Sequence, residues 1–232
     1  FSYTYSHSID DSSSRQDGNL VNSYDPALNR ASSNFDQRHN LSVSYVYDLP
    51  FLRNNNLSGK LLGGWQYSGI MSFSTGSPFT VTFPGDNAGV ANGVTTTAAY
   101  ADIVGDPNAG GHVTIPGQGI QIYNPNAYAA PRGLTFGDSG RNSLTNPNRT
   151  NFDMALFKTF AIKESMHFEF RAEAFNVFNH TELGYINGDG GSGASNSANL
   201  NSGTSGFGGT NFLQILSAHN ARILQLGAKF IF

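Results

Sequence analysis

Strict alternation of apolar and polar residues recurs in several long segments of this chain, and it limits the folds that the chain can adopt. In the segment from Arg222 to Phe232, every second residue from Leu224 onward is apolar. Successive side chains of a β-strand point to opposite faces, so this segment has one apolar face and one mixed face. An amphipathic helix would need apolar residues three and four positions apart, and that spacing is hard to find here. We therefore predict an all-β fold.

Six segments show this alternation, and we predict each to be a strand: residues 1–9, 38–49, 60–74, 151–161, 166–178 and 222–232. The links between them alternate strictly in length. Two links are short (50–59 and 162–165), whereas three are long: 10–37, 75–150 and 180–219. Tight turns at one end and long loops at the other are typical of outer-membrane β-barrels. The pattern predicts an antiparallel, up-and-down outer-membrane β-barrel segment with short periplasmic turns and long extracellular loops.

The composition is consistent with a wall that has lipid on one side and water on the other. Charged residues make up only 12% of the chain, about half of the usual share in soluble domains. The chain has 18 Phe and 10 Tyr, and no apolar run approaches the roughly 18 residues of a membrane helix. A net charge of −3 provides no basic surface for nucleic acid. The absence of cysteine excludes disulfides and thiolate sites.

The alternating segments also predict which side chains face the lumen and which face lipid. A strand face that carries several charges must be wet or internally paired, because burying unpaired charge is too costly. On this basis we predict four lumen-facing charges: Glu169, Arg171, Glu173 and Lys229. Three outward aromatic residues are predicted to lie in the girdle at the membrane interface: Tyr45, Trp65 and Tyr67. Lys158 interrupts an apolar face near a strand end, where we expect its long side chain to reach the interface.

The long links are rich in Gly, Asn, Ser and Pro. Residues 184–209 are the most biased, and we expect them to be mobile or ordered only by their neighbours. The link 75–150 is too long for a simple loop. It contains residues 113–115 and 119–123, which we expect to form a small extra hairpin outside the membrane.

No catalytic, cofactor or metal site is predicted, and we expect the chain not to be an enzyme. The histidines are scattered, and neither a nucleophile elbow nor a phosphate-binding loop is present. Glu169 and Glu173 lie on one strand face and flank Arg171. A glycosidase-like carboxylate pair is one interpretation of this arrangement, but a charge ladder around Arg171 is the better interpretation. Calcium binding is left open for six aspartates in the long links, although they lack EF-hand spacing: Asp10, Asp11, Asp86, Asp102, Asp106 and Asp189.

Several short blocks resemble, in order along nearly the whole chain, the C-terminal barrel of TonB-dependent receptors. The resemblance is to the Oar-like group, which has a carboxypeptidase-regulatory-like N-terminal domain. The blocks are Asp36–Leu41, Tyr47–Phe51, Gly64–Gln66, Ser77–Phe79, Gly140–Asn142, Asn151–Asp153, Leu156–Lys158 and Arg171–His180. The resemblance implies the C-terminal part of one transmembrane barrel domain over residues 1–232, about the last quarter of a barrel of about 22 strands.

The same resemblance implies a set of partners. They are outer-membrane lipid, the remaining strands and plug of the parent chain, the outer-membrane assembly machinery, and TonB through an N-terminal part that this sequence lacks. The end of the chain resembles the signal that the assembly machinery reads, since an exposed strand ending on an aromatic residue can pair edge to edge with a receiving sheet. That signal comprises Leu224, Leu226, Phe230 and Phe232.

Three functions remain open at this point. The first is a wall segment of a transporter or receptor in the outer membrane of a Gram-negative bacterium, with no activity of its own. The second is a processed fragment, because the chain starts inside a predicted strand, and open strand edges favour self-assembly into an extracellular fibre or a multi-chain barrel. The third is a secreted β-sandwich binding module, which leaves the charged strand face and the loop asymmetry unexplained.

Overall fold

The structure is a computed structural model, and it describes residues 1–13, 21–22, 25–50, 57–83, 87–89, 99–116, 119–163, 165–186, 197–199 and 212–232. The strands in chain order are β1 (Ser2–Tyr5), β2 (Ile9–Asp10), β3 (Ala31–Ser32), β4 (His39–Asp48), β5 (Trp65–Ser74), β6 (Pro78–Phe83), β7 (Ala99–Tyr100), β8 (Asp102–Ile103), β9 (Val113–Ile115), β10 (Gly119–Gln121), β11 (Tyr128–Ala129), β12 (Leu144–Thr145), β13 (Arg149–Lys163), β14 (Met166–Phe175), β15 (Ser197–Asn199), β16 (Gln214–Ile215) and β17 (Ile223–Ile231). The described residues also form one α-helix, α1 (Leu57–Leu62), and two short 3-10 helices, Pro26–Asn29 and Pro125–Ala127. None of the helices in the described ranges is long and apolar enough to cross a membrane.

Six strands form one antiparallel sheet in the order β1-β4-β5-β13-β14-β17. These strands have the same order in the sheet as in the chain, so the sheet is an up-and-down meander. Each of them lies within, or within two residues of, a segment that shows period-two alternation. The predicted all-β, antiparallel architecture is therefore confirmed.

All three long connections leave the sheet from the same end. The register shows this through the residue pairs that lie opposite each other there: Tyr5 and His39, Ser74 and Arg149, and Phe175 and Ile223. The two short links lie at the other end, where Asp48 is opposite Gln66 and Lys163 is opposite Met166. The asymmetry of the loops predicted from sequence is therefore present in the structure.

Some strand limits differ from the predicted ones. The third segment was predicted to be a strand from Lys60, but residues 57–62 form α1 and the strand begins at Trp65. Gly64 separates the two with a φ of +68°, a conformation that glycine adopts without steric cost and that commonly follows a helix. The fifth segment ends at Phe175 rather than at residue 178, because Asn176 has a φ of +50° and leaves the strand.

The hydrophobic core lies in the long connections and not in the six-stranded sheet. It comprises Phe79, Val81, Ala101, Ala127, Tyr128, Leu144, Ile186, Phe212, Leu213 and Ile215. We call the described residues of 10–37, 75–148 and 180–219 the outer module. The predicted hairpin is confirmed within it, since β9 pairs with β10, and β16 extends that pair. Most of the segment 184–209, predicted to be mobile or ordered by its neighbours, lies outside the described residues.

Candidate functional site

The register of the sheet brings the four predicted lumen-facing charges onto one face. Residues directly opposite each other in an antiparallel pair share a face. Glu169 lies opposite Lys229, and Glu173 lies opposite Gln225. Arg171 lies between the two glutamates along β14, and its Nη1 is 3.6 Å from Oε1 of Glu173. We call the side of the sheet that carries these residues the polar face.

The opposite side of the sheet, the apolar face, carries the residues of the predicted assembly signal. Leu224, Leu226 and Phe230 lie on β17 opposite Ala174, Ala172 and Phe168. None of the other described elements covers them, and Leu226 is 74% exposed. Large apolar side chains in this position are suited to lipid. Phe232 follows at the end of the chain and is also exposed. Their role in assembly stays a prediction.

The predicted interface aromatics also lie on the apolar face. The hydroxyl of Tyr45 donates to the hydroxyl of Tyr67 at 3.0 Å, which in turn contacts Sδ of Met154 at 2.8 Å. Gly69 lies opposite Tyr45, and a Cβ at this position would be only 2.5 Å from the Tyr45 hydroxyl. The glycine therefore lets the ring lie flat across β5. Polar atoms on a lipid-facing wall need such partners, because lipid offers none.

Lys158 occupies a different environment from the one predicted. It lies on the apolar face, but it is only 2% exposed. Its Nζ donates to the carbonyl of Gly63 at 2.6 Å and lies 5.3 Å and 4.6 Å from the ring centroids of Trp65 and Phe160. The amine does point toward the short-link end of the sheet. The aromatic rings cover it there, so it does not extend into the surroundings as expected.

An open groove of about 440 Å³ lies across β4, β5, β13 and β14. Most of its lining side chains belong to the polar face. Its apolar part includes Val46, Ile70 and Phe175, and its charged part comprises Asp153 and Glu173. Sequence reasoning missed this site. The sequence did contain a signal for it, because Val46 and Ile70 are apolar residues at alternating positions that are otherwise polar in their strands.

The first and second long connections are joined by a polar contact centred on Arg141. Its guanidinium donates to the carbonyl oxygens of Asn29 and Asp10, to the Ser13 hydroxyl and to the Asp10 carboxylate. We call this set of contacts the Arg141 latch. Burial alone would raise the pKa of Asp10, but hydrogen bonds from Ser33, Arg141 and Ser13 outweigh it and hold the pKa below its usual range.

Further contacts join these two connections, and others attach the third. Asn142, at a φ of +52°, donates to the Ser32 carbonyl at 2.6 Å. In the third connection, the amide of Ile186 donates to Oδ1 of Asn146 at 3.0 Å. Asn146 itself donates to the carbonyl of Ser77 at 3.0 Å. The three long connections thus form one packed body at one end of the sheet.

Comparison with known proteins identifies the family of the chain. Residues 1–225 match the family model described as an outer membrane beta barrel domain. This chain belongs to that family. No curated protein and no solved structure matched it. A barrel domain of this kind forms a wall with lipid on one side and a polar interior on the other. The apolar and polar faces of this sheet fit these two surroundings.

The structure describes most of the aspartates for which calcium binding was left open. Within the described ranges, no group of three or more His, Cys, Asp or Glu side chains is placed to hold a metal ion. Asp102 and Asp106 accept hydrogen bonds from the backbone amides of Arg132 and Asn108. Asp86 and Asp189 lie outside the described residues. These hydrogen bonds indicate that Asp102 and Asp106 stabilise loops of this barrel domain.

Proposed function

We propose that this barrel domain forms part of the wall of a TonB-dependent-type transporter or receptor in the outer membrane of a Gram-negative bacterium. The observation that carries the proposal is the groove on the polar face of a sheet whose three long connections pack into a single outer module at one end. We assign the polar face to the lumen and the apolar face to lipid. The chain takes no catalytic part in this role, and it supplies a surface along which a solute moves.

The number of strands implies that other strands complete the barrel. Among the described residues the sheet has six strands, with β1 and β17 at its edges, whereas membrane barrels need at least about eight. Unpaired strand edges do not occur in lipid, because their backbone groups would lack hydrogen-bond partners. We propose that further strands of the parent chain pair with β1 and β17. The plug, TonB and the outer-membrane assembly machinery are the other partners that this role requires.

The outer module supports a receptor role. Loops with a shared hydrophobic core hold their side chains in fixed positions, which lowers the entropy lost when a ligand binds. The core residues come from the second and third connections, and the Arg141 latch adds the first connection. Such a module is suited to capturing a ligand before the ligand enters the lumen.

Single cysteines test the assignment of the two faces, because the chain has no native cysteine. Gln225→Cys and Leu226→Cys place a thiol on adjacent residues of β17 that point to opposite faces. A nitroxide attached at 226 should be reached by oxygen dissolved in lipid. A nitroxide at 225 should be reached by a water-soluble nickel chelate. Equal accessibility at both positions would refute a wall with one face in lipid.

Sidedness and transport require cells. In intact cells, a membrane-impermeant maleimide should label Asn108→Cys in the outer module, whereas Ser165→Cys at a short link should react only after the cells are lysed. Uptake of a ligand by the complete barrel should stop when TonB is deleted. Uptake that continues without TonB would contradict the TonB-dependent part of the proposal, and the membrane location would stand.

The edges of the sheet favour a second candidate function. β1 and β17 each have one sheet neighbour among the described residues, and exposed edges can recruit strands of other copies. The alternative is a fragment that assembles into an extracellular fibre or a multi-chain barrel. Electron microscopy of the purified chain discriminates the two, because a repeating assembly favours this alternative and dispersed particles in lipid favour the wall.

A further inference from the structure

The groove on the polar face has a composition that selects one class of ligand. We propose that it binds an organic cation with an apolar body, with the cationic group beside Asp153 and the apolar body on Val46 and Ile70. This inference deepens the proposed function and rests on the assignment of the polar face to the lumen. It names the solute class that the wall would recognise.

The apolar part of the groove is exposed on the face of the sheet that we assign to water. Val46 is 68% exposed and Ile70 is 54% exposed, although both occupy positions on the polar face. Ile70 lies opposite Ser44, two residues before Val46, so the two apolar side chains are diagonal neighbours on that face. Phe175 extends the same surface. Covering this patch with an apolar ligand body is favourable because it removes apolar area from water.

The charged part of the groove is negative. Asp153 and Glu173 both line it, and none of the described lining residues is basic. The Asn176 amide donates to Oδ1 of Asp153 at 2.9 Å, which orients the carboxylate. The guanidinium of Arg171 contacts Glu173 at 3.6 Å but is 58% exposed. Glu173 is therefore partly compensated, and Asp153 is the carboxylate better placed to attract a ligand cation.

Other ligand classes fit the groove less well. An anion would meet two carboxylates in a groove whose described lining contains no basic residue, which is repulsive. A metal ion prefers several oxygen ligands at short distance, and no such group occurs in the described part of the chain. A volume of about 440 Å³ lies within the range of small-molecule sites. An ammonium ion attached to a ring or a short alkyl chain matches the charge, the apolar patch and the volume.

The test uses three soluble probes that share a phenyl ring: benzyltrimethylammonium as the cation, benzyl alcohol as the neutral compound and benzoate as the anion. The complete barrel is placed in lipid nanodiscs with labelled Val and Ile methyl groups, and NMR shifts are followed during titration. Val46 reports on the groove. Val43, which lies on the apolar face of the same strand, is the matched control for partitioning of the probes into lipid.

We expect the cation to shift the Val46 and Ile70 methyl signals saturably and to leave Val43 unchanged. Asp153→Asn should weaken binding about tenfold, the scale of one charge-assisted contact. Glu169→Gln removes a carboxylate from the same face outside the groove and should leave the affinity unchanged. Equal responses to all three probes, or equal affinity in Asp153→Asn and the parent protein, would overturn the inference. The nitroxide experiment contains no ligand, so it detects a failure of the lumen assignment separately.

Discussion

Arg141→Ala is the change with the clearest consequence for the outer module. It removes hydrogen bonds of 2.8 Å to the Asn29 carbonyl, 3.2 Å to the Ser13 hydroxyl and 2.6 Å to the Asp10 carbonyl, together with the contact to the Asp10 carboxylate. Removing one partner of a buried ion pair costs about 3–5 kcal/mol. The side chains of Arg141 and Asp10 are 11% and 22% exposed, so water compensates for part of the loss. We expect about 2–3 kcal/mol.

The loss should appear as local opening of the first connection. Hydrogen exchange measures it through the amides of Ser33 and Asp36, which donate to the carbonyls of Ser8 and Ser33. A loss of about 2–3 kcal/mol corresponds to exchange about 30- to 150-fold faster. Amides between β13 and β14 should not change, because the latch lies outside the sheet.

Two variants act as controls for this prediction. Arg38→Ala removes a guanidinium that is 52% exposed and 3.7 Å from Asp36, so we expect less than about 1 kcal/mol. Arg141→Lys keeps the charge but loses the planar fork of donors, and should give an intermediate rate. Unchanged exchange at Ser33 in Arg141→Ala would refute the reasoning. Equal acceleration in the sheet would show a global effect and would refute it too.

Three more predictions concern the outer module. Tyr100→Phe should lower the free energy of urea unfolding by about 1–2 kcal/mol, because it removes the 2.7 Å hydrogen bond to Oδ1 of Asn29. Tyr128→Phe should leave it unchanged, since that buried hydroxyl has no hydrogen-bond partner among the residues that the structure describes. Phe79→Ala should cost about 3–5 kcal/mol, with a separate thermal transition for the module and retained pairing in the sheet. Burial would raise the pKa of Asp36, but its hydrogen bonds, first from the Ser8 amide, lower the pKa overall. Its stabilising effect should therefore be present above the ordinary aspartate pKa and lost as pH falls below it. Asp36→Asn should abolish this pH dependence of the free energy of unfolding, which urea unfolding at a series of pH values measures.

Alternation along the sequence determined the sheet. Side-chain direction in a strand depends only on local backbone geometry, so Glu169, Arg171 and Glu173 could be placed on one face without knowing their neighbours. The lengths of the links determined that the strands form a meander with all long connections at one end. Strand limits were less accurate because they depend on single residues such as Gly64 and Asn176, whose positive φ values end the regular pattern.

Only the tertiary structure decided where the core and the groove lie. Phe79, Leu144, Ile186 and Leu213 come from distant parts of two connections that have no periodic pattern, and they become a core only when those connections pack together. The groove likewise depends on register, because Ile70 is brought opposite Asp153 by pairing between strands about 80 residues apart. Local geometry is encoded residue by residue, whereas contacts between distant segments are set by packing that no single segment contains.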